Sequence, residues 1–139
     1  MKAKNISSLA ICILASLLIL VPLYILPPCP GLIETAAGQY VPMKCFWTVR
    51  AETGIGCVIA FGGLALFLTK DRGQLTGIFM MLSVCAVFAG ALPLFLIGMC
   101  ASPLMPCRMG TQPALILLSS VLFLVSAGHA FYLSRGNRE

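Results

Sequence analysis

The sequence predicts an all-α membrane protein, a bundle of four transmembrane helices formed by the whole chain, residues 1–139. Hydrophobic residues make up 60% of the chain and charged residues only 9%, whereas about a quarter of the residues are charged in a typical soluble domain. Four apolar stretches, at about residues 8–26, 51–69, 75–98 and 114–133, also approach the roughly 20 residues that a helix needs to cross a bilayer.

We expect the first stretch to remain in the protein as a membrane anchor. Lys2 and Lys4 precede it, as basic residues precede the core of a signal peptide. The apolar run is longer than a usual signal-peptide core, however, and no small-residue cleavage site follows it. Pro22 in this stretch and Pro93 in the third stretch interrupt backbone hydrogen bonding, so both helices should be kinked there.

The second stretch is the weakest of the four, because glycines interrupt it and Arg50 and Glu52 stand at its start. We expect Glu52 to lie in the first helical turn at the membrane interface, where the helix dipole favours an acidic side chain. Pairs of small residues at four-residue spacing allow helices to approach closely, which favours a close-packed bundle over a pore. These pairs are Gly56 and Ala60, Ala86 and Gly90, and Ser126 and Ala130.

The distribution of basic residues predicts that both termini are cytoplasmic. This orientation places six of the nine basic residues inside, namely Lys2, Lys4, Lys70, Arg72, Arg135 and Arg138. Short loops such as these obey the positive-inside rule. We therefore expect a multi-pass protein of the cell membrane, with outer loops at about residues 27–50 and 99–111. The basic residues form no single patch, so nucleic-acid binding is not expected.

The two outer loops contain four of the seven cysteines, namely Cys29, Cys45, Cys100 and Cys107. Thiols outside the cytoplasm tend to oxidise, so the leading interpretation is two structural disulfides that staple these loops. Four cysteines allow three pairings, and the sequence does not choose among them.

Methionines beside these cysteines support an alternative, an extracytoplasmic protein that handles a soft metal ion. Thiolate and thioether sulfurs together select Cu(I) and similar ions. The candidate ligands are Cys45, Cys100, Cys107, Met43, Met105 and Met109. The same cysteines could instead form a thiol–disulfide relay, although the C-x-x-C motif typical of such relays is absent.

Four further residues near the outer loops are candidate contacts for a partner or an anionic headgroup: Trp47, Arg50, Glu52 and Arg108. A simpler interpretation is that they anchor the helices at the interface and that Arg50 and Glu52 form a local ion pair. We find no Ser/His/Asp set, no paired acids and no phosphate-loop or dinucleotide fingerprint. We therefore expect no enzymatic activity and no cofactor.

Two segments resemble a family of small four-span prokaryotic membrane proteins, the domain-of-unknown-function family 4418. They are residues 43–56 and residues 100–111, the second with a Met-Pro-Cys-Arg core. The resemblance implies histidine at the position of Phe46, so this chain would lack a ligand if the family bound metal through that residue. The family has no assigned activity.

Members of that family look like proteins whose genes accompany those of ABC transporters of the extracytoplasmic, mechanotransmitting type. The resemblance therefore implies a partner rather than a reaction. We expect an accessory subunit that lies in the lipid bilayer and packs beside a larger membrane complex, such as an ABC-transporter permease.

Overall fold

The chain forms four helices that are long and apolar enough to cross a membrane. The computed structural model describes residues 2–29 and 31–136, with side chains from residue 4 onward. Its helices are α1 (Lys2–Leu20), α2 (Lys44–Leu68), α3 (Arg72–Ala91) and α4 (Gln112–Arg135). The prediction of four membrane-spanning helices is confirmed, and the protein is a multi-pass membrane protein. Arg138, which entered the charge count, lies outside the described residues.

Three π-helical turns extend these helices at one end of the bundle. Val21–Ile25 continues α1, Leu92–Leu96 continues α3, and Cys107–Thr111 leads into α4. Pro22 and Pro93 stand near the start of the first two turns. A proline has no N–H to donate and clashes with the carbonyl one turn earlier, so regular α-helical bonding ends where the sequence predicts a kink.

The bundle buries several hydroxyl side chains within its apolar core and exposes many large apolar side chains, unlike a soluble domain. Large apolar residues cover its outer surface, among them Phe61, Leu68, Phe95, Leu117 and Phe131. Hydroxyl side chains lie in the interior together with the apolar core, namely Ser7, Ser8, Thr48, Thr111, Ser119 and Ser126. Lipid solvates apolar side chains but not hydroxyl groups, so this arrangement suits a bilayer.

Small residues bring neighbouring helices into close contact. A Cβ atom added to Gly56 of α2 would lie 2.6 Å from Cγ1 of Ile19 in α1, and one added to Gly90 of α3 would lie 2.9 Å from Oγ of Ser119 in α4. Ser8 of α1 donates a 2.6 Å hydrogen bond to the backbone carbonyl of Gly63 in α2. The close packing that the small-residue spacings predict is therefore present.

The start of α1, the end of α4 and the α2–α3 connection lie at the same end of the bundle, which we call the terminal end. Lys4 donates a 2.8 Å hydrogen bond to the carbonyl of Thr69, and Oγ of Ser7 lies 2.9 Å from Nε2 of His129. The opposite end holds the α1–α2 and α3–α4 connections, and we call it the cysteine end. The cytoplasmic position of the terminal end stays a prediction from charge.

A short β-hairpin, which the sequence pattern does not predict, lies in the α1–α2 connection. Its strands are β1 (Leu32–Glu34) and β2 (Tyr40–Pro42), which pair antiparallel with Ile33 opposite Val41. The Gly38 amide donates to the carbonyl of Thr35 across the turn. Gly38 has a φ of +75°, a conformation that glycine adopts without steric cost.

Candidate functional site

Four separate segments bring one cysteine each to the cysteine end of the bundle. Cys29 follows the first π-helical turn, and Cys45 is the second residue of α2. Cys100 lies in the α3–α4 connection, and Cys107 is the first residue of the turn that leads into α4. Together these residues form what we call the four-cysteine cluster.

The sulfur atoms of the four-cysteine cluster all lie within 4.8 Å of one another. The closest pairs are Cys29 with Cys107, at 3.1 Å, and Cys45 with Cys100, at 3.3 Å. A disulfide bond measures about 2.05 Å, and all seven cysteines of the chain are free thiols. The sulfurs are therefore not at disulfide distance, and the two disulfides that the sequence predicts are not confirmed.

Backbone geometry in the α3–α4 connection depends on hydrogen bonds from neighbouring segments. Thr48 of α2 donates a 2.7 Å hydrogen bond to the carbonyl of Gly98. Gly98 itself has a φ of +79°, which reverses the chain just before Cys100 at little cost for glycine. Arg108 donates to the carbonyl of Ala101 at 3.2 Å. These bonds place Cys100 and Cys107 against the start of α2.

A second set of bonds holds the α1 side of the cluster. Thr111 donates a 3.1 Å hydrogen bond to the carbonyl of Leu26, so the turn that carries Cys107 is joined to the segment that leads to Cys29. A Cβ atom added to Gly31 would lie 2.5 Å from Cε of Met43. A larger residue at this position would displace the end of the Met43 side chain.

Three methionines shield the cluster from solvent. Met43, Met99 and Met105 are half-buried and pack against the cysteines. Cys45, Cys100 and Cys107 are buried, whereas Cys29 is half-buried and forms the most accessible corner. Met109, a predicted soft-metal ligand, is 68% exposed. The structure therefore groups all four outer cysteines with Met43, Met99 and Met105 and leaves Met109 at the surface.

The proximity of the sulfurs raises the pKa of the Cys29 thiol. The largest cause is its hydrogen bond with Cys107, and loss of hydration adds to it. A thiolate at Cys29 would also be repelled by negative charge on Cys107. A bound cation has the opposite effect, because it stabilises all of the surrounding thiolates.

The predicted partner-contact residues divide into an exposed group and a buried one. Trp47, Arg50 and Arg108 are exposed. The rings of Phe46 and Trp47 pack in a T-shaped arrangement with their centroids 5.7 Å apart. The Arg50 guanidinium lies over the Phe46 ring, 5.2 Å from its centroid. Phe46, at the position where the family resemblance implies histidine, thus belongs to an aromatic group beside the cluster.

Glu52 does not lie in the first turn of its helix, where the sequence predicts it. Because α2 begins at Lys44, Glu52 lies beyond the first two turns of the helix, and its side chain is fully buried (0% exposed). Neither carboxylate oxygen has a hydrogen-bond partner, so the predicted ion pair with Arg50 is not formed. Burying a carboxylate without a partner is costly, which makes Glu52 the most anomalous polar group of the described core.

The sequence contains a pattern that predicts the burial of Glu52, but the pattern is visible only if α2 starts at Lys44. Cys45, Thr48, Glu52 and Gly56 are separated by three, four and four positions, the spacing of one helical face, and all four are buried. A helix that started at residue 51 would leave Cys45 and Thr48 in a loop and hide this pattern.

The comparisons with known proteins show the family to which the chain belongs. The model of the family described as Domain of unknown function (DUF4418) matches residues 11–132. The chain belongs to this family. No curated protein and no solved structure matched the chain significantly. The DUF4418 match reaches into all four helices and includes all four residues of the cluster.

Proposed function

We propose that the four-cysteine cluster binds one thiophilic metal ion, and that this DUF4418 protein is a non-enzymatic metal-binding membrane protein. The observation that carries the proposal is the convergence of four sulfur atoms within 4.8 Å. Four thiolates bound to a central ion at about 2.3 Å lie roughly 3.8 Å from one another in a tetrahedron. The four sulfurs therefore need only small adjustments to become ligands.

The sulfur donors select the class of ion. A tetrahedral site of four thiolates is typical of Zn²⁺, and soft thiolate and thioether sulfurs also suit Cu(I). Met43, Met99 and Met105 surround the cysteines with thioether groups and favour a soft ion further. Sulfurs this close enclose a single ion, because a cluster of several metal atoms would force them apart.

An ion coordinated by four protein ligands indicates that the site binds metal and does not catalyse a reaction. Catalytic zinc sites keep one position open for water or substrate, whereas sites with four protein ligands are closed. Here four cysteines would fill the tetrahedron of a bound ion, and the methionines packed against them would limit access to it. We infer that the ion is held to tie the connections together or is bound as cargo.

Metal analysis of the purified protein tests this proposal. The full chain, reduced and stripped of metal in detergent, should take up one equivalent of Zn²⁺ or Cu(I) in separate titrations. Cys45→Ser should lose this uptake. Cys57→Ser is the matched control, because Cys57 lies in the same helix, is exposed and is outside the cluster.

Disulfide formation is the competing outcome. If alkylation without reductant finds all four cysteines blocked, and the reduced protein binds neither ion, the sulfurs are structural disulfides and the proposal fails. The closest contacts then predict the pairs Cys29–Cys107 and Cys45–Cys100.

The β-hairpin supports a second candidate function. In this role the protein is an accessory subunit of a larger membrane complex, such as an ABC-transporter permease. The hairpin's apolar side chains Leu32, Ile33, Tyr40 and Val41 are exposed, outside the segments long enough to span a membrane. Exposed apolar patches of this kind are typical of protein contacts. A strand pair without further strands also offers free edges.

Purification in mild detergent tests the accessory role. A permease-type membrane protein should copurify with the wild-type chain and be lost from Ile33→Ser/Val41→Ser, which alters one paired position of the hairpin. Ala36→Ser/Ala37→Ser, in the exposed turn of the same hairpin, should retain the partner. Recovery of the wild-type chain alone would contradict this role.

A further inference from the structure

A cavity at the terminal end, far from the cysteines, has the character of a binding site. It has a volume of about 790 Å³ and is lined by residues of α1, α3, α4 and the α2–α3 connection. Four of its lining residues are basic, namely Lys4, Lys70, Arg72 and Arg135. No carboxylate is among the described lining residues.

The basic side chains of the cavity are not neutralised by the described acidic groups nearby. Lys4 donates to the backbone carbonyl of Thr69, and the Arg135 guanidinium lies over the Phe131 ring at 5.1 Å. Asp71, the nearest acid in the sequence, accepts a hydrogen bond from the Gln74 amide and caps α3. The cavity therefore presents an excess of positive charge to its occupant.

The floor of the cavity is apolar. Phe79 and Leu75 are buried beneath the basic residues, and Leu133 adds a half-buried side chain. His129 stacks on Phe79, with ring centroids 5.2 Å apart, and its Nε2 lies 2.9 Å from Oγ of Ser7. A basic rim above an apolar floor matches an anionic amphiphile better than a small hydrophilic anion.

We propose that this cavity binds an anionic phospholipid, with the phosphate headgroup among the basic side chains and part of an acyl chain against Phe79 and Leu133. The cavity opens at the ends of membrane-spanning helices, the level of lipid headgroups. Basic pockets between such helices are recognised by anionic headgroups. The positive-inside rule explains basic residues in loops but not their arrangement around one concave, apolar-floored cavity.

Lipid titration of the full-length protein in neutral detergent tests the proposal. Phosphatidylglycerol should bind at one equivalent by native mass spectrometry and raise the melting temperature, whereas phosphatidylcholine should do neither. Lys70→Gln/Arg72→Gln should weaken phosphatidylglycerol binding by roughly thirtyfold, on the basis of about 1 kcal/mol for each basic residue. Arg135→Gln alone should weaken it less, and this variant leaves the α2–α3 turn intact.

The matched control removes the same charge at the cysteine end. Lys44→Gln, the counterpart of Arg135→Gln, alters one exposed basic residue and should leave phosphatidylglycerol binding unchanged. Equal affinity for phosphatidylcholine would overturn the proposal, as would equal losses in the control and cavity variants. Inorganic phosphate that produces the full temperature shift at the same concentration would also overturn it, because the apolar floor would then contribute nothing.

Discussion

The sulfur atoms of Cys29 and Cys107 lie 3.1 Å apart, although 78 positions separate the two residues in the chain. This contact joins the α1–α2 connection to the turn that leads into α4. Cys45 and Cys100 make a similar contact, at 3.3 Å, between α2 and the α3–α4 connection. One ion bound by all four sulfurs would therefore tie the two helical hairpins together at one end of the bundle.

Removal of the metal should lower the stability of the protein. An ion that binds only the folded state stabilises it by about 3 kcal/mol when present at 100 times its dissociation constant. A thiophilic chelator should therefore lower the melting temperature of the metal-loaded wild type, measured by circular dichroism. Cys107→Ser should melt at the lower temperature with or without chelator, and Cys57→Ser should behave like the wild type. A wild-type protein insensitive to chelator would argue against a bound ion.

The raised pKa of the Cys29 thiol should be visible in its reactivity. Only the thiolate reacts with iodoacetamide, so the pH midpoint of Cys29 alkylation in the metal-free protein should lie above that of free cysteine. Since the hydrogen bond with Cys107 is the largest cause of the shift, Cys107→Ser should move the midpoint downward. Peptide mass spectrometry across a pH series measures both. A midpoint at or below that of free cysteine would contradict the described contact.

Replacement of Glu52 by an apolar residue of similar size should stabilise the protein. The buried carboxylate has no hydrogen-bond partner, and an unsatisfied buried polar group costs roughly 1–3 kcal/mol. Glu52→Met should therefore raise the free energy of unfolding by about that amount, whereas Glu34→Met, at an exposed position, should change it little. A fall in stability for Glu52→Met would show that the carboxylate has a favourable interaction in the protein.

Two glycines of α2 should respond differently to substitution by alanine. A Cβ at Gly56 would lie 2.6 Å from Cγ1 of Ile19, whereas a Cβ at Gly54 would meet nothing within 4 Å. Gly56→Ala should destabilise the protein by roughly 1–3 kcal/mol through overpacking. Gly54→Ala should stabilise it by up to about 1 kcal/mol, since alanine favours the helix. Thermal unfolding of the two variants side by side checks the difference, and equal responses would contradict the α1–α2 contact.

Hydropathy and length predict the number and order of the helices because a bilayer demands long apolar segments. The same reasoning places Cys29, Cys45, Cys100 and Cys107 at one end, since connections of an up-and-down bundle alternate between its ends. Their convergence was not predictable, because it depends on hydrogen bonds between distant segments. The bond from Thr48 to Gly98 is one example.

The start of α2 is the most consequential difference between the sequence prediction and the structure. Charged residues near residue 50 suggest the end of an apolar segment, yet the helix continues to Lys44 because a helix can extend beyond the hydrocarbon core. The shift moves Cys45 and Glu52 onto one buried face. The β-hairpin was missed because each strand has only three residues, too few for a reliable alternation pattern.

X-ray absorption spectroscopy of the metal-loaded protein tests the central claim most directly, because it reports the atoms bound to the ion. With Zn²⁺ bound, the account predicts four sulfur neighbours at about 2.3 Å, and Cys29→Ser should replace one of them with a lighter atom or release the ion. A zinc site dominated by nitrogen or oxygen neighbours, unchanged in Cys29→Ser, would contradict the assignment of the four-cysteine cluster as a metal centre.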